Sequence, residues 1–358
     1  MDALLHRYEN FLPFTDGTPI ITLGEGGTPL LKSRSLCNQI GGVDLYFKLE
    51  GCNPTGSFKD RGMVVAISKV LESGSAGVVC ASTGNTSASA AAYGAHFNIP
   101  TIVLIPAGGV SIAKLSQVMM YSPTIIEING DFDRAMGFVR KLKDHNAITV
   151  VNSINEFRIE GQKTASFEII DELGDAPEMV FIPVGNAGNI TAYWKGFTQY
   201  YQMGISTKTP KMMGFQAEGA APIVSGQIIK SPETFASAIR IGNPANWSSA
   251  INARDASGGG IYSVTDEDIK NAQILLASEE GIFCEPASAA SLAGVVKMYE
   301  QGMRFVDSRI VCVITGTGLK DIDAVHDYLN LDILRADSMD DLRGMAEDIL
   351  SCKISTDQ

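Results

Sequence analysis

Short apolar segments alternate with amphipathic segments along most of this chain. The apolar segments, which are rich in β-branched residues, predict strands at residues 44–49, 77–81, 101–105, 124–128, 148–151, 179–183, 211–216 and 309–314. Their apolar residues are consecutive, which is typical of strands in a mostly parallel sheet that helices cover on both faces. Segments between them, such as residues 63–71 and 167–173, carry apolar residues at helical spacing. The pattern predicts a doubly wound α/β fold.

The length of the chain favours two lobes. It has 358 residues, of which 45% are hydrophobic, and a domain usually contains roughly 100 to 200 residues. One large α/β unit also fits this length, because no low-complexity linker marks a boundary. Later segments predict helices at residues 265–280, 285–300 and 339–350, and the glycine run at residues 258–260 predicts a loop.

Composition excludes several classes of partner. Lys and Arg number 28 against 40 Asp and Glu, and the net charge of -12 repels nucleic-acid phosphates and anionic lipids. The six cysteines form no C-x-x-C pair and the four histidines are isolated, so no zinc framework is visible. No apolar run approaches the roughly 18 residues of a membrane span, and residues 1–14 do not resemble a signal peptide. We therefore expect a cytoplasmic protein with reduced cysteines, no metal, and no nucleic-acid or membrane partner.

The first candidate for chemistry is Lys59, in a turn that precedes a predicted helix. Residues 53–62 read Asn-Pro-Thr-Gly-Ser-Phe-Lys-Asp-Arg-Gly, which places Lys59 in the first helical turn. The positive end of a helix disfavours a cation there and lowers its pKa, and a neutral amine is what a lysine needs to form a Schiff base. The alternative is a solvated helix start at which Asp60 matches the helix dipole.

Two further loops follow predicted strands and are rich in small polar residues or glycine. Residues 81–87, Ala-Ser-Thr-Gly-Asn-Thr-Ser, could bind a carboxylate or phosphate at a helix N-terminus, or could be an ordinary helix cap. Residues 184–190, Val-Gly-Asn-Ala-Gly-Asn-Ile, could form an anion nest, or could simply need Gly and Asn for a tight turn.

Two more loops complete the set of candidates. Residues 151–158 contain Asn152, Ser153 and Arg158, a combination that could grip a phosphate, the arginine with two hydrogen bonds. A polar loop with one structural ion pair is the alternative. Residues 314–318, Ile-Thr-Gly-Thr-Gly, end the last predicted strand, where ligand clefts of open α/β sheets lie, although a plain glycine turn also explains them.

Taken together and in this order, these stretches resemble fold type II pyridoxal-phosphate enzymes. The resemblance runs from the segment Gly-Glu-Gly-Gly-Thr-Pro-Leu at residues 24–30 to Lys320 and Asp321. Ser-Phe-Lys-Asp-Arg at 57–61, Ser-Thr-Gly-Asn-Thr at 82–86, the loop at 185–189 and Thr315-Gly316 are typical of the fold and the cofactor. Asn152-Ser153, Arg158 and Gly-Gln-Lys-Thr at 161–164 are similar to threonine synthases within that family.

The resemblance implies a role for each matched residue. Lys59 would bond pyridoxal 5'-phosphate and shuttle protons, Asn85 would contact its 3'-oxygen, and Thr315 would face its ring nitrogen without holding it protonated. Its phosphate would lie on Gly185, Asn186, Ala187, Gly188 and Asn189. The substrate-binding residues implied are Ser82, Thr83, Gly84, Thr86, Asn152, Ser153, Arg158 and Asn186, the last four around the substrate's own phosphate.

The reaction implied is the conversion of O-phospho-L-homoserine and water to L-threonine and phosphate, by γ-elimination and β-addition. Threonine dehydratase, a cysteate-forming relative and a non-catalytic amino-acid-binding protein on the same fold are the alternatives. The resemblance also implies two doubly wound lobes with the cofactor in the cleft between them, and a homodimer. Residues 1–51 with 152–358 would form the large cofactor-binding domain, and residues 52–151 a smaller, mobile substrate-binding domain.

Overall fold

A computed structural model of the chain describes residues 3–107, 112–130, 132–142, 147–326 and 334–356. Within them the chain forms two compact units, Met1–Ala324 and Val325–Gln358. The strands are β1 (Leu30–Lys32), β2 (Asp44–Leu49), β3 (Gly77–Ala81), β4 (Thr101–Pro106), β5 (Thr124–Ile128), β6 (Ile148–Val150), β7 (Met179–Pro183), β8 (Lys211–Ala217), β9 (Gly260–Val264) and β10 (Arg309–Ile314).

The helices alternate with these strands. They are α1 (Leu4–Arg7), α2 (Leu36–Gln39), α3 (Lys59–Ser73), α4 (Asn85–His96), α5 (Ile112–Met120), α6 (Phe132–Leu142), α7 (Glu156–Gln162), α8 (Thr164–Leu173), α9 (Gly188–Gln202), α10 (Pro222–Ser225), α11 (Trp247–Ala256), α12 (Asp266–Glu280), α13 (Pro286–Glu300), α14 (Ile322–His326) and α15 (Met339–Thr356). The second unit contains α15. No helix in the described part of the chain is long and apolar enough to cross a membrane.

The strands form two sheets. One has six strands in the order β1-β2-β10-β7-β8-β9, and the other has four in the order β5-β4-β3-β6. All pairs are parallel except β1 with β2, which is antiparallel. The predicted doubly wound, mostly parallel α/β fold is therefore confirmed, and every strand predicted from the sequence is present within a residue of its predicted ends. β1 was not predicted, and β9 begins inside the predicted glycine loop.

Successive residues of the central strands enter different cores, as expected for sheets covered on both faces. In β7, Val180 and Ile182 pack with Phe167 and Phe197 of α8 and α9. Phe181, between them, belongs to the opposite core, which includes residues of α13. Because the carboxyl ends of parallel strands meet at one edge of a sheet, the loops after β3, β7 and β10 lie where ligands of such folds bind.

A buried ion cluster fixes the start of α3. The fully buried Arg61 donates from Nε to Glu50 at 2.6 Å and from Nη2 to Glu168 at 2.6 Å. Lys48 Nζ reaches the same Glu168 carboxylate at 2.7 Å. Burial alone would raise the pKa of Glu168, but Arg61 and Lys48 hold it well below its ordinary range. The cluster ties α3, two residues after Lys59, to the large sheet and to α8.

Candidate active site

Lys59 begins α3 at the end of a turn that is docked on the loop after β10. The backbone N–H of Phe58 donates to the Thr315 carbonyl oxygen at 2.9 Å, and Ser57 forms an isolated bridge with Gly316. Gly56 turns the chain with a φ of +87°, and a Cβ atom there would lie 2.9 Å from a Thr317 methyl group. A larger residue at position 56 would therefore be strained and would push the Lys59 turn away from β10.

The Lys59 amine is held in an environment that favours its neutral form. Its Nζ lies 4.2 Å from the centre of the Phe58 ring, and it makes no hydrogen bond or ion pair with the residues that the structure describes. Burial and the nearby positive charge of Arg158 lower the pKa of Lys59 to about 7, while Glu285 opposes the shift. The predicted neutral, nucleophilic lysine is therefore supported by its surroundings.

The loop after β3 leaves its polar groups available. Gly84 is the N-cap residue of α4, and no side chain caps this helix. Ser82 Oγ accepts from the Gly84 N–H at 3.2 Å, whereas Thr83 and Thr86 make no side-chain hydrogen bond within the described chain. The ordinary capping role that residues 81–87 could have had is therefore not what the structure shows, and the start of α4 can receive an anion.

A buried carboxylate that sequence reasoning missed connects Asn85 to Thr315. Glu285 is 3% exposed and precedes α13. Its Oε2 accepts from Asn85 Nδ2 at 2.9 Å, and its Oε1 accepts from Thr315 Oγ1 at 3.1 Å. A Cβ atom on Gly316 would lie 2.7 Å from this carboxylate, so glycine is needed beside it. Thus two residues predicted to contact one cofactor meet on a single acid.

The glycine-rich loop after β7 opens the N-terminus of the long helix α9. Its N-cap residue, Ala187, has a φ of +64°, and no side chain caps the helix. Asn189 is 7% exposed, yet neither its Oδ1 nor its Nδ2 has a partner in the described chain. An uncapped helix start beside an unsatisfied buried amide is a suitable site for a phosphate group.

Helix α7, which follows the loop after β6, brings Arg158 close to Lys59. Arg158 is 1% exposed, and its guanidinium donates from Nη1 to the Val151 carbonyl oxygen at 3.0 Å, while Nε and Nη2 have no partner in the described residues. Burial lowers the pKa of Arg158 to about 10. A buried cation with two free donors costs stability unless an anion completes it. Among the described residues Arg158 has no ion-pair partner, so the alternative of a structural ion pair is not found there.

Asn152 and Ser153 differ from Arg158 in how many of their polar groups are already hydrogen-bonded. The Asn152 amide pairs with the backbone of Ala81 in both directions, so most of its hydrogen-bonding capacity is already used. Ser153 contributes its carbonyl oxygen, which accepts from Asn246 Nδ2 at 3.3 Å, and its hydroxyl makes no hydrogen bond in the described chain. Ser153 therefore keeps a hydroxyl that can bind a ligand, whereas Asn152 has little hydrogen-bonding capacity left.

Asn246, the N-cap residue of α11, joins two of these loops and was also missed. Besides Ser153, it contacts Asn186, whose carbonyl oxygen accepts from the Asn246 backbone N–H at 3.1 Å. Asn186 also accepts at Oδ1 from the Ala245 N–H at 3.4 Å. Nothing in the local sequence marks Asn246 as functional, because its partners lie about 60 and 90 residues away along the chain.

Sequence comparisons agree closely with one another. The model for the family "pyridoxal-phosphate dependent enzyme" matches residues 21–316. A threonine synthase from Halalkalibacterium halodurans is 55% identical over 319 residues, covering 89% of this chain and 90% of that protein. A threonine synthase from Methanocaldococcus jannaschii is 52% identical over 327 residues, covering 89% of this chain and 81% of that protein.

Solved structures share the fold. Maize serine racemase superposes with a TM-score of 0.71 at 23% identity, covering 84% of this chain and 90% of that one. The processed form of threonine deaminase isoform 2 from Solanum lycopersicum superposes with a TM-score of 0.73 at 22% identity, covering 90% of this chain and 92% of that one. At these identities the likeness shows the common fold alone.

Proposed function

The chain belongs to the pyridoxal-phosphate-dependent enzymes of fold type II and, within them, to the threonine synthases, and we propose that it converts O-phospho-L-homoserine and water to L-threonine and phosphate. The observation that carries the proposal is the juxtaposition of Lys59, whose pKa is lowered to about 7, with the unsatisfied buried guanidinium of Arg158. A neutral amine serves a carbonyl cofactor, and free N–H donors serve a phosphorylated substrate.

The residues present fit pyridoxal 5'-phosphate. Among the residues that the structure describes, Lys59 offers an amine without a competing partner, and Asn189 offers an unsatisfied amide at the uncapped start of α9, where a phosphate is stabilised. We assign Gly185–Asn189 to the cofactor phosphate, Asn85 to its 3'-oxygen and Thr315 to its ring nitrogen. When bound, the cofactor supplies an electron sink for charge that develops on the substrate.

Lys59 and Arg158 perform the steps that belong to the protein. Lys59 removes the proton from the substrate Cα and hands it to the bound cofactor, which would store it, so that the amine is neutral again before it removes a proton from Cβ. Lys59 then delivers one proton to Cγ and returns the stored one to Cα. The Cγ–O bond breaks and phosphate leaves with the electron pair of that bond. The hydroxyl of water adds to Cβ, and the remaining proton of the water balances the one that the phosphate takes up. Arg158 holds the phosphate and stabilises its growing charge through Nε and Nη2.

The remaining substrate contacts are assigned to the loop at the uncapped start of α4 and to the residues around Arg158. We assign Ser82, Thr83, Gly84 and Thr86 to the substrate carboxylate at the start of α4. Ser153 and Asn186 join Arg158 around the substrate phosphate, and Asn152 supports that pocket through Ala81. Residues 52–151 act as a smaller, mobile substrate domain in this proposal. The four-stranded sheet belongs to this range, and the six-stranded sheet to the rest of the chain.

The test is phosphate release from O-phospho-L-homoserine by the cofactor-loaded protein, followed by amino-acid analysis of the product. Threonine formed in a one-to-one ratio with phosphate supports the proposal. Formation of α-ketobutyrate in place of threonine, or no phosphate release, contradicts it. We also propose a cytoplasmic homodimer, as the family resemblance implies, and sedimentation equilibrium of the purified protein measures its mass directly.

A further inference from the structure

Glu285 is a buried acid whose oxygens meet only neutral groups among the residues that the structure describes. Oε2 accepts from Asn85 at the start of α4, and Oε1 lies 3.1 Å from Thr315 Oγ1 at the end of β10. No ion pair involves Glu285 in the described part of the chain, although its side chain is almost completely removed from solvent. A carboxylate buried without a cation in contact is costly, and such groups are commonly protonated instead.

The charges around Glu285 do not outweigh the cost of burying it in its ionised form. The titratable groups that face it from neighbouring elements are Lys59, Cys284, Lys320 and Asp321. Lys320 bonds elsewhere, donating from Nζ to Gln117 Oε1 at 2.6 Å. Burial raises the pKa of Glu285 although Asn85, Lys320 and Thr315 oppose the shift. The neutral form of Lys59 is consistent with a neutral acid beside it, because an ionised one would favour the ammonium.

The hydroxyl of Thr315 has one hydrogen to donate, and more than one acceptor competes for it. Besides Glu285, it lies 2.8 Å from Ser288 Oγ, which itself accepts from the Gly316 N–H at 2.9 Å. An ionised Glu285 can only accept, so it would take the Thr315 hydrogen and leave none for a ring nitrogen. A protonated Glu285 can donate from Oε1 to Thr315 and still accept from Asn85 at Oε2.

We propose that Glu285 is a positioning residue that stays protonated in the folded protein, donates to Thr315, and thereby leaves the Thr315 hydroxyl hydrogen available to the cofactor's ring nitrogen. The inference rests on the proposed function for its last step only, since that step needs Thr315 to face the ring. A neutral acid used as a hydrogen-bond donor in an apolar site is a known catalytic device. A hydrogen bond from the Thr315 hydroxyl would leave the ring nitrogen unprotonated, which would limit side reactions of the cofactor.

The protonation state can be measured without any activity. We would compare infrared spectra of the cofactor-loaded wild type and E285Q, because only a protonated carboxyl gives a carboxylic-acid carbonyl band. Glu300→Gln is the matched control, since Glu300 is the exposed last residue of α13, the helix that Glu285 precedes. We expect E285Q to lose one such band near neutral pH and E300Q to lose none. No band lost in E285Q would overturn the proposal.

Thermal unfolding gives a second readout. A buried acid with a raised pKa makes the folded state less stable as pH rises, because only the unfolded chain ionises freely. The Tm of E285Q relative to wild type should therefore increase as the pH rises from the ordinary range of a glutamate carboxyl toward neutral, while that of E300Q should stay level. A difference that falls with pH would mean a charged Glu285 and would overturn the proposal.

The last step needs no variant and is tested separately. Nitrogen NMR of wild-type protein loaded with ring-labelled cofactor reports whether the ring nitrogen carries a proton. We expect an unprotonated nitrogen that accepts a hydrogen bond, and a protonated nitrogen would overturn the proposed role of Glu285. Because neither spectrum measures turnover, failure of the phosphate-release assay is distinguishable from failure of this inference.

Discussion

The side-chain amide of Asn152 pairs with the backbone of Ala81 in both directions, with Nδ2 donating at 2.8 Å and Oδ1 accepting at 2.9 Å. Ala81 is the last residue of β3, and Asn152 lies two residues beyond the end of β6. The amide therefore extends the ladder between the two strands as a backbone group would. It holds the loop after β3 beside the loop that leads into α7, the helix of Arg158.

Replacing Asn152 with Asp should destabilise the protein. Aspartate has no N–H, so the buried Ala81 carbonyl oxygen loses its partner, which costs about 1 to 3 kcal/mol in the free energy of unfolding. Urea unfolding measures this loss. Asn271→Asp, on an exposed position of α12, is the control and should change stability by less than about 0.5 kcal/mol. Equal effects in the two variants would contradict the role of the Asn152 amide.

Lys59→Ala should abolish the cofactor's visible absorbance band and turnover while leaving the fold intact. The side chain makes no hydrogen bond in the described chain, and α3 is anchored independently by Arg61. Borohydride reduction of the wild type followed by peptide mapping should place the label on Lys59, and exposed Lys230→Ala should leave it there. Lys320 is the critical alternative, because its pKa is also lowered by burial. A label on Lys320 would contradict the assignment.

The rate of covalent cofactor loading should depend on pH with a half-rise near 7. Burial and Arg158 lower the pKa of Lys59 to about 7, so the reactive neutral amine predominates above that pH, whereas an ordinary lysine requires about 10.5. Stopped-flow absorbance of cofactor-free protein mixed with pyridoxal phosphate measures the rate. Arg158→Met should move the half-rise upward, because it removes a positive charge that disfavours the ammonium. A wild-type half-rise near that of free lysine would contradict the lowered pKa.

The sequence located the central strands because their burial is a local property. Each has a continuous apolar run, and the structure places all of them within a residue of the predicted ends. β1 and β9 were not predicted because their existence depends on pairing with a neighbour, although two other edge strands, β5 and β6, were predicted. β1 has only three residues with one buried, and β9 starts at Gly260 and is formed by pairing with β8.

The candidate site was predictable as a set of loops but not as a hydrogen-bonded arrangement. Glycine, serine and threonine clusters after strands pointed to the loops around Lys59, Asn85 and Thr315. Glu285 resembles any acid before a helix that starts with proline, and its contact with Asn85 joins positions 200 residues apart. Asn152 was predicted to bind phosphate, but its amide is mainly committed to Ala81. Such pairings are decided by tertiary structure, which local residue type does not encode.

Glu168→Gln should be strongly destabilising, because it removes one charge from the buried cluster with Arg61 and Lys48. Breaking such a pair from one side costs about 3 to 5 kcal/mol. The pKa of Glu168 is lowered in the fold, so its contribution is present above the unfolded-state pKa and is lost as pH falls. Denaturant unfolding should therefore show a wild-type advantage near neutral pH that shrinks in acid. An advantage that is constant with pH would contradict a charged Glu168.

Arg158 should contribute to substrate recognition without stabilising the folded protein. Its Nε and Nη2 have no partner in the described chain, so Arg158→Met removes an unsatisfied buried charge and should leave the protein as stable as wild type or more so. The same change should lower kcat/KM for O-phospho-L-homoserine, and the fall should correspond to a loss of about 2 to 4 kcal/mol in transition-state stabilisation. Arg158→Lys should also be impaired, because an ammonium cannot form paired hydrogen bonds with phosphate.

Three measurements on Arg158→Met separate function from folding: urea unfolding, cofactor content and kcat/KM. Cofactor content should be unchanged, because we assign the cofactor phosphate to Gly185–Asn189 on a different loop. Arg34→Met, on an exposed position, should change none of the three quantities. If Arg158→Met instead lost stability while keeping its kcat/KM, the guanidinium would be a structural group bonded to Val151, and the substrate phosphate would have to bind elsewhere.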